Sequence, residues 1–380
     1  MRTVTPDKEG IDQAARLLKE GGLVAVPTET VYGLAADAFN AQAVARIYAT
    51  KGRPADNPLI LHIADKKTLD ELAEDLPAYA YALTEKFWPG PLTLVVRKKA
   101  GLPAWLGGHP DNAAETVGVR MPNHPAVLEL IRQSGCVVAA PSANKAGTPS
   151  PTCAQHIIND YDGAALTPDM LLDGGTLEVG IESTVVDTTG DEPVILRPGA
   201  VTAEMIQEML GTANDGIRQR RALSETNERG SELHPHSHIQ PRSPGIKYRH
   251  YAPLAPMTLL SGDAEAVAAY ITTQIVSEVD AHIGVLVSPR VLSYINAKWP
   301  RMAVQSDTSY TPIVTALPLG DPKDLPAIAR NLFANLRTFD EKGADIILAE
   351  ALPSEGLGAA IMDRMTKAAE GRVIRLGITE

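Results

Sequence analysis

Cysteine is scarce: two residues, Cys136 and Cys153, in a chain of 380. They form neither a C-x-x-C pair nor a Cys/His zinc spacing. A disulfide framework and a structural metal site are therefore not expected, and a reducing, cytoplasmic setting is. Long apolar runs are also missing. No uncharged apolar stretch of about 18 residues occurs, and the opening M-R-T-V-T-P-D-K-E-G has no apolar core for a signal peptide, so no membrane association is expected. Positive charge is in deficit, with 35 Lys and Arg against 46 Asp and Glu and a net charge of −11. That balance argues against direct nucleic-acid binding over a broad face, which needs a concentrated basic surface. The phosphate-loop pattern G-x-x-x-x-G-K-[ST] is absent, so any nucleotide is held by other means.

The length suits two domains, and the most informative stretch runs from Val24 to Ile63. An apolar run over 23–26 predicts a buried strand that Pro27 ends, because proline has no N–H to give a ladder. The following turn, closed by Gly33, carries Thr28, Glu29, Thr30 and Tyr32. It is expected to offer polar groups to a ligand rather than to a core. Asn40 predicts the cap of a helix over 41–49, and Gly52 and Pro54 end that helix, leaving Lys51 and Arg53 close together before a strand over 59–63. A fixed cation pair suits a polyphosphate, although the helix dipole alone would also favour these cations. Asn57 and His62 follow at short spacing. Hydroxyl, cation, amide and imidazole groups thus come from two consecutive strand ends, where pockets in α/β sheets form.

The same device repeats downstream. A helix over 77–87, with Tyr81, Leu83, Phe87 and Trp88 directed at the core, meets Pro89-Gly90-Pro91 and then a strand over 92–96. T-V-G-V-R at 116–120 predicts a strand on which Thr116, Gly118 and Arg120 share a face; an arginine in solvent is the plainer reading. A small-residue strand over 137–140 feeds a loop containing Ser142 and Ser150. Such a loop brings amides and hydroxyls close to a nucleotide, or merely connects elements. G-I-E-S-T-V-V-D at 180–187 is another polar turn before a strand, and Arg197 stands at the exit of the next. Cations at strand ends interleaved with hydroxyl turns suggest a cationic, hydroxyl-lined cleft at one edge of a sheet.

From 211 the chain loses apolar periodicity, and His234, His236 and His238 fall in a polar run read as linker rather than metal site. S-P-G-I-K-Y-R-H-Y-A-P at 243–253 interleaves tyrosines, cations and an imidazole, and is read as a lid over the cleft. Beyond Pro256 strands and helices alternate, which predicts a smaller Rossmann-like α/β domain. The expected organisation is a catalytic domain over 1–210, a linker over 211–255 and a C-terminal domain over 256–380.

Together P-T-E-T-V-Y-G-L, K-G-R-P-x-x-N-P-L, A-P-S-A-N-x-x-G-x-P-S-P-T, G-I-E-S-T-V-V-D and the S-P-G-I-K-Y-R-H-Y-A-P segment resemble the YrdC-like family. The form resembled is the long, two-domain one of L-threonylcarbamoyladenylate synthases, over nearly the whole chain. The resemblance implies an α/β first domain with a twisted open sheet and a positively charged cavity. It also implies condensation of L-threonine, bicarbonate and ATP, with Mg²⁺ accompanying ATP, to threonylcarbamoyl-AMP and pyrophosphate. That is the first step towards N6-threonylcarbamoyladenosine in tRNA, and the product would pass to a tRNA threonylcarbamoyl-transfer machinery. Position by position, the resemblance implies Lys51 and Arg53 as catalytic. It implies Arg53, Asn57, Thr116, Ser142, Ser150 and Arg197 around ATP, with Tyr248 or Tyr251 closing on the nucleotide. Around L-threonine it implies Thr30, His62, Arg120, the Ala140 backbone and Ser183. A carbamate is a weak, short-lived nucleophile, so positioning and water exclusion should carry most of the catalysis. An RNA-binding module of the same fold is the alternative. The acidic total charge and the lack of stacking aromatics near the cations count against it.

Overall fold

The computed structural model describes residues 1–211, 218–219, 249–278, 280–303 and 313–377. Tyr248, the three linker histidines and the first part of the expected lid lie outside the described residues. The chain forms two compact units: 1–146 with 153–177 and 182–248, and 147–152 with 178–181 and 249–380.

The first unit is built on one mixed sheet. Its strands are β1 (Arg2–Val4), β2 (Val24–Val26), β3 (Gly33–Asp37), β4 (Ile60–His62), β5 (Ala73–Glu74), β6 (Leu92–Lys98), β7 (Thr116–Arg120), β8 (Val138–Ala139), β9 (Met170–Leu172), β10 (Thr184–Asp187), β11 (Val194–Arg197) and β12 (Arg218–Gln219). They run in the order β1-β9-β2-β3-β8-β4-β7-β6-β10-β11-β12, with β5 beside β6. The accompanying helices are α1 (Lys8–Lys19), α2 (Ala41–Lys51), α3 (Lys67–Leu72), α4 (Ala78–Phe87), α5 (Pro125–Ser134), α6 (Ala154–Tyr161) and α7 (Ala203–Leu210).

Local chemistry accounts for several of these boundaries. Asn40 Oδ1 accepts from the amides of Gln42 and Ala43, both at 3.1 Å, and Gly52 closes α2 in the left-handed region at φ +63°. Helix α1 begins at Lys8 because the Asp7 carboxylate caps it by accepting from Gly10 N. Tyr81, expected in the core, is 45 % exposed and donates to Asp70. Tyr32 also departs from expectation. Its ring is fully buried, and its hydroxyl donates to Gly175 O and accepts from Gly174 N, so it serves the core and not a ligand.

The alternation of side chains along each strand decides where function can sit. Strand β2 is buried on both faces, as an apolar run should be: Leu23 and Ala25 join one core, Val24 and Val26 another. In the middle of the sheet the faces differ. Leu61 of β4, Leu94 and Val96 of β6, and Val117 and Val119 of β7 all enter the first core. The residues between them therefore occupy the other face: Ile60 and His62, Thr93 and Val95, Thr116, Gly118 and Arg120.

The second unit is the alternating α/β pattern that the sequence predicts. Strands β13 (Met257–Ser261), β14 (His282–Val287), β15 (Ile313–Pro318), β16 (Ile346–Glu350) and β17 (Val373–Arg375) form a sheet in the order β15-β14-β16-β13-β17. All of its pairings are parallel. Helices α8 (Ala264–Ser277), α9 (Pro289–Ala303), α10 (Leu325–Lys342) and α11 (Leu357–Ala368) connect them. Tyr251 belongs to this unit. Its backbone is left-handed at φ +63° and its ring is 4 % exposed, stacked on Phe333 of α10 at 5.3 Å between centroids. The next residue, Ala252, donates its amide to Gly147 O at 2.9 Å. Phe333 is itself fully buried, so Phe333→Ala should cost about 3–5 kcal/mol. Calorimetry of the full chain should show a melting transition lowered by roughly 5–10 °C; an unchanged melt would contradict this packing.

Candidate active site

The site grows from the ends of neighbouring strands. In β4 and β7, which run parallel, His62 lies in register with Arg120 and Ile60 with Gly118. Strand β6 runs antiparallel to β7 and parallel to β10, so the start of β6, the start of β10 and the end of β7 share one end of the sheet. Arg197, the last residue of β11, pairs with Val185 at that same end. His62, Arg120, Thr93, Ser183 and Arg197 are thus brought together by register.

Arg120 is the centre of this group. It is 4 % exposed. Its Nε donates to Gly90 O at 3.2 Å and its Nη1 to Thr30 Oγ1 at 3.0 Å, while its Nη2 lies 2.6 Å from Glu29 Oε1. The contact with Glu29 is a close charge pair and not an aligned hydrogen bond. Thr30 reaches the arginine because the turn folds on itself. Thr28 Oγ1 donates to Val31 O at 2.7 Å and lies 2.9 Å from Thr30 Oγ1. A hydroxyl has one proton, so the hydrogen between the two threonines belongs to Thr30.

His62 is buried beside this cation. Desolvation, then the positive field of Arg120, push its imidazole down to about 3. Its Nδ1 lies 3.3 Å from Ile60 O. A carbonyl can only accept, so the proton sits on Nδ1 and Nε2 is left as an acceptor. At the far side Thr93 Oγ1 is 2.8 Å from Ser183 Oγ, and Arg197 donates to both Ser183 O and Ser183 Oγ.

The two loops after β2 and β8 are joined by backbone bonds. Leu34 N donates to Pro141 O, Ala143 N to Tyr32 O, and Gly33 bridges Ser142. Lys51, at the end of α2, is 2 % exposed and donates from Nζ to the carbonyls of Ser142 and Asn144. Its expected neighbour Arg53 bonds a different segment. Arg53 Nη2 donates to Asn57 Oδ1 at 2.8 Å and to Pro58 O at 2.6 Å, fixing the connection into β4. The Ala140 amide is committed to Ile60 O at 3.0 Å, so a ligand at Ala140 would meet its carbonyl.

A cavity of about 950 Å³ opens on the same face of the sheet. Its floor is Ile60, Thr93, Val95, Thr116, Gly118 and Val185. Thr116 stands at the opposite end of β7 from Arg120, roughly 13 Å away at the rise of a strand. Gly118 lies between them and leaves the middle of the floor without a side chain. Arg97, Lys98 and Lys99 supply cations at the cavity edge, with Asp56, Glu74 and Glu115 among them.

Thr30, His62, Arg120, Ser183 and Arg197 therefore gather at one strand end, Ser142 is tied to Lys51, Arg53 to Asn57, and Thr116 lines the cavity. Ser150 and Tyr251 belong to the second unit. Thr93 was not assigned a role from the sequence, and Glu29 was named there only as one of the polar groups of its turn. Thr93 could have been found as the polar residue on the face of β6 opposite Leu94. Glu29 stood in the turn as its one carboxylate, but no spacing connects it to Arg120, 91 positions along the chain.

A polar cluster beside a cavity on one face of a mixed sheet defines an α/β enzyme with a small-molecule site. The chain belongs to the Sua5/YciO/YrdC family. The model of that family, described as telomere recombination, matches residues 16–199, and the threonylcarbamoyl-AMP synthase C-terminal domain matches residues 201–370. The threonylcarbamoyl-AMP synthase of Bacillus subtilis is 42 % identical over 365 residues, covering 96 % of this chain and 94 % of its own. That of Pyrococcus abyssi is 41 % identical over 363 residues, covering 96 % and 95 %. The crystal structure of P. abyssi Sua5 complexed with L-threonine matches with a TM-score of 0.80 at 39 % identity, covering 99 % of this chain and 98 % of that one. Among the described residues, no helix is long and apolar enough to cross a membrane.

The depressed pKa of His62 makes a prediction about stability. A histidine held neutral in the fold stabilises it above its unfolded pKa near 6.5, and that contribution is lost as pH falls towards 3, by about 1.4 kcal/mol per pH unit within the window. Denaturant unfolding of wild type and His62→Asn at pH 7, 6 and 5 should show the wild type losing stability faster on acidification. Parallel losses would contradict the buried neutral imidazole.

Proposed function

We propose that the enzyme condenses L-threonine, bicarbonate and ATP to threonylcarbamoyl-AMP and pyrophosphate, the first step towards N6-threonylcarbamoyladenosine in tRNA. The product then passes to a tRNA threonylcarbamoyl-transfer machinery. The observation that carries this reading is the shared sheet face. A buried guanidinium suited to an amino-acid carboxylate lies at one end of β7, and the cavity that takes the nucleotide lies along the rest. The two substrates thereby meet on one strand.

In this reading Arg120 receives the carboxylate of threonine, and His62 Nε2 accepts from its hydroxyl. A site that hydrogen-bonds that hydroxyl rejects analogues lacking it far better than an apolar pocket senses a methyl group. Ala140 offers its carbonyl, and Ser183 a hydroxyl already oriented by Arg197. ATP lies with its nucleoside over Thr116 and Gly118 and its phosphates towards Arg53, Asn57, Ser142 and Arg197. Lys51 holds the loop carrying Ser142 and contributes positive charge near the α-phosphate.

Among the described residues no group of three or more acidic, cysteine or histidine side chains could hold a metal. Mg²⁺ would accompany the triphosphate, whose oxygens and water would be most of its ligands, and it would supply charge neutralisation at the transferred phosphorus. The reaction needs no side-chain nucleophile. The acyl phosphate bond forms when the carbamate oxygen attacks the α-phosphorus and pyrophosphate leaves, so orientation and exclusion of water are the protein's main contributions.

Pyrophosphate release from ATP should require threonine and bicarbonate together, and serine or alanine should substitute poorly. Lys51→Ala should retain the fold and lower that release by about two orders of magnitude. Release independent of threonine would contradict the proposed reaction, and near-normal turnover of the Lys51 variant would remove the role given to that lysine.

A further inference from the structure

Glu29 is a buried carboxylate whose bonding is incomplete. Its side chain is 8 % exposed, and the guanidinium of Arg120 is its ion-pair partner at 2.6 Å. Neither of its oxygens receives an aligned hydrogen bond among the described residues. An ionised carboxylate has about four lone-pair positions, and leaving them unmet in a buried place is costly. The two threonine hydroxyls of its turn are already accounted for. The chain of donors runs in one direction, from Arg120 to Thr30, from Thr30 to Thr28, and from Thr28 to the Val31 carbonyl. No proton is left over in that chain for Glu29.

Arg120 is also incompletely used. A guanidinium has five N–H donors. One goes to Gly90 O, one to Thr30 Oγ1, and one faces Glu29, which leaves two. The cluster therefore has unmet acceptors on Glu29 beside unmet donors on Arg120. The chemical complement of that pair is a zwitterion, with an ammonium for the glutamate and a carboxylate for the arginine. A free α-amino acid carries both on one carbon.

We propose that Glu29 is a catalytic residue that binds the α-ammonium of the amino-acid substrate and takes its proton. This rests on the reaction proposed above. An ammonium has no lone pair and cannot attack carbon, so the substrate must be deprotonated before a carbamate can form. One proton moves from the ammonium to Glu29, giving a neutral amine and a carboxylic acid. The amine lone pair then forms the N–C bond with bicarbonate, one C–O bond of bicarbonate breaks, and the departing hydroxide takes the second amine proton to leave as water. The products are the carbamate, one water and protonated Glu29, which returns its proton to solvent on turnover. The same contact orients the amine, so Glu29 acts in binding as well as in proton transfer.

The test compares two ligands on two full-length proteins. Wild type and Glu29→Gln are titrated by calorimetry with L-threonine and with 3-hydroxybutyrate, which is threonine without its amino group. Wild type should prefer threonine by about a hundredfold, and the glutamine variant should lose at least about tenfold of that preference, because only the ammonium-bearing ligand uses the charge. A merely structural role would weaken both ligands alike, and an unchanged preference overturns the proposal. Turnover of the variant should fall by about a hundredfold or more. If glutamine prevents folding, Glu29→Asp keeps the charge but withdraws it by one methylene. That variant should keep its preference for threonine while turnover falls at least about tenfold, and unaltered turnover overturns the proposal. The binding comparison needs no catalysis. A wild type that released no pyrophosphate would remove the proposed reaction, and the ligand preference would still judge the ammonium contact.

Discussion

A buried guanidinium must be surrounded by acceptors, and the first unit is arranged to meet that demand at Arg120. An uncompensated charge at 4 % exposure would cost several kcal/mol. The Gly90 carbonyl, the Thr30 hydroxyl and the Glu29 carboxylate each meet part of it. They come from three places in the chain: the proline-rich turn before β6, and two neighbouring positions of the turn after β2. The arginine thereby fixes both turns relative to the end of β7. The same cation helps keep His62 neutral, so one charge sets the protonation and the geometry of its surroundings together.

The second constraint is the two-residue period of the strands. Leu61, Val117, Val119, Leu94 and Val96 face the core because they are apolar. The alternate positions are then free to build a site without disturbing that core. Gly118 is the telling residue on the site face. Its backbone is not in the left-handed region, and a Cβ placed on it would meet Thr93 Cγ2 at 3.4 Å and Ile60 Cγ1 at 3.5 Å, ordinary contacts. Glycine is therefore not demanded by strain. It leaves the cavity floor low between Thr116 and Arg120, where a flat or extended ligand could lie against the sheet.

Much of this was legible in the sequence. The Asn40 cap, the Gly52 stop and the strand Thr116–Arg120 are local signals with local causes, and the structure has them. The alternation in β7 also places Thr116 and Arg120 on one face. Pairing across the sheet was not legible. Thr30 bonds Arg120 across 90 positions and Lys51 bonds Asn144 across 93, contacts that only the strand order creates. Strand β3 was hidden because Gly33 and the small residues after it resemble the end of a turn. Tyr32 was misread for a related reason. A hydroxyl in a polar turn suggests a ligand contact, yet burial of its ring requires partners for that hydroxyl, and Gly174 and Gly175 provide them.

In the proposed reaction the cavity over β7 and the cluster at its end are two halves of one site, nucleotide in the first and amino acid in the second. Gly118→Leu tests it most directly, since it fills the cavity floor while leaving the Arg120 cluster intact. Equilibrium titration of the folded variant with a non-hydrolysable ATP analogue, and separately with L-threonine, should show nucleotide affinity reduced by about tenfold or more and threonine affinity within about twofold of wild type. Undiminished nucleotide affinity would contradict the account, because the nucleotide would then have to bind somewhere other than over this strand.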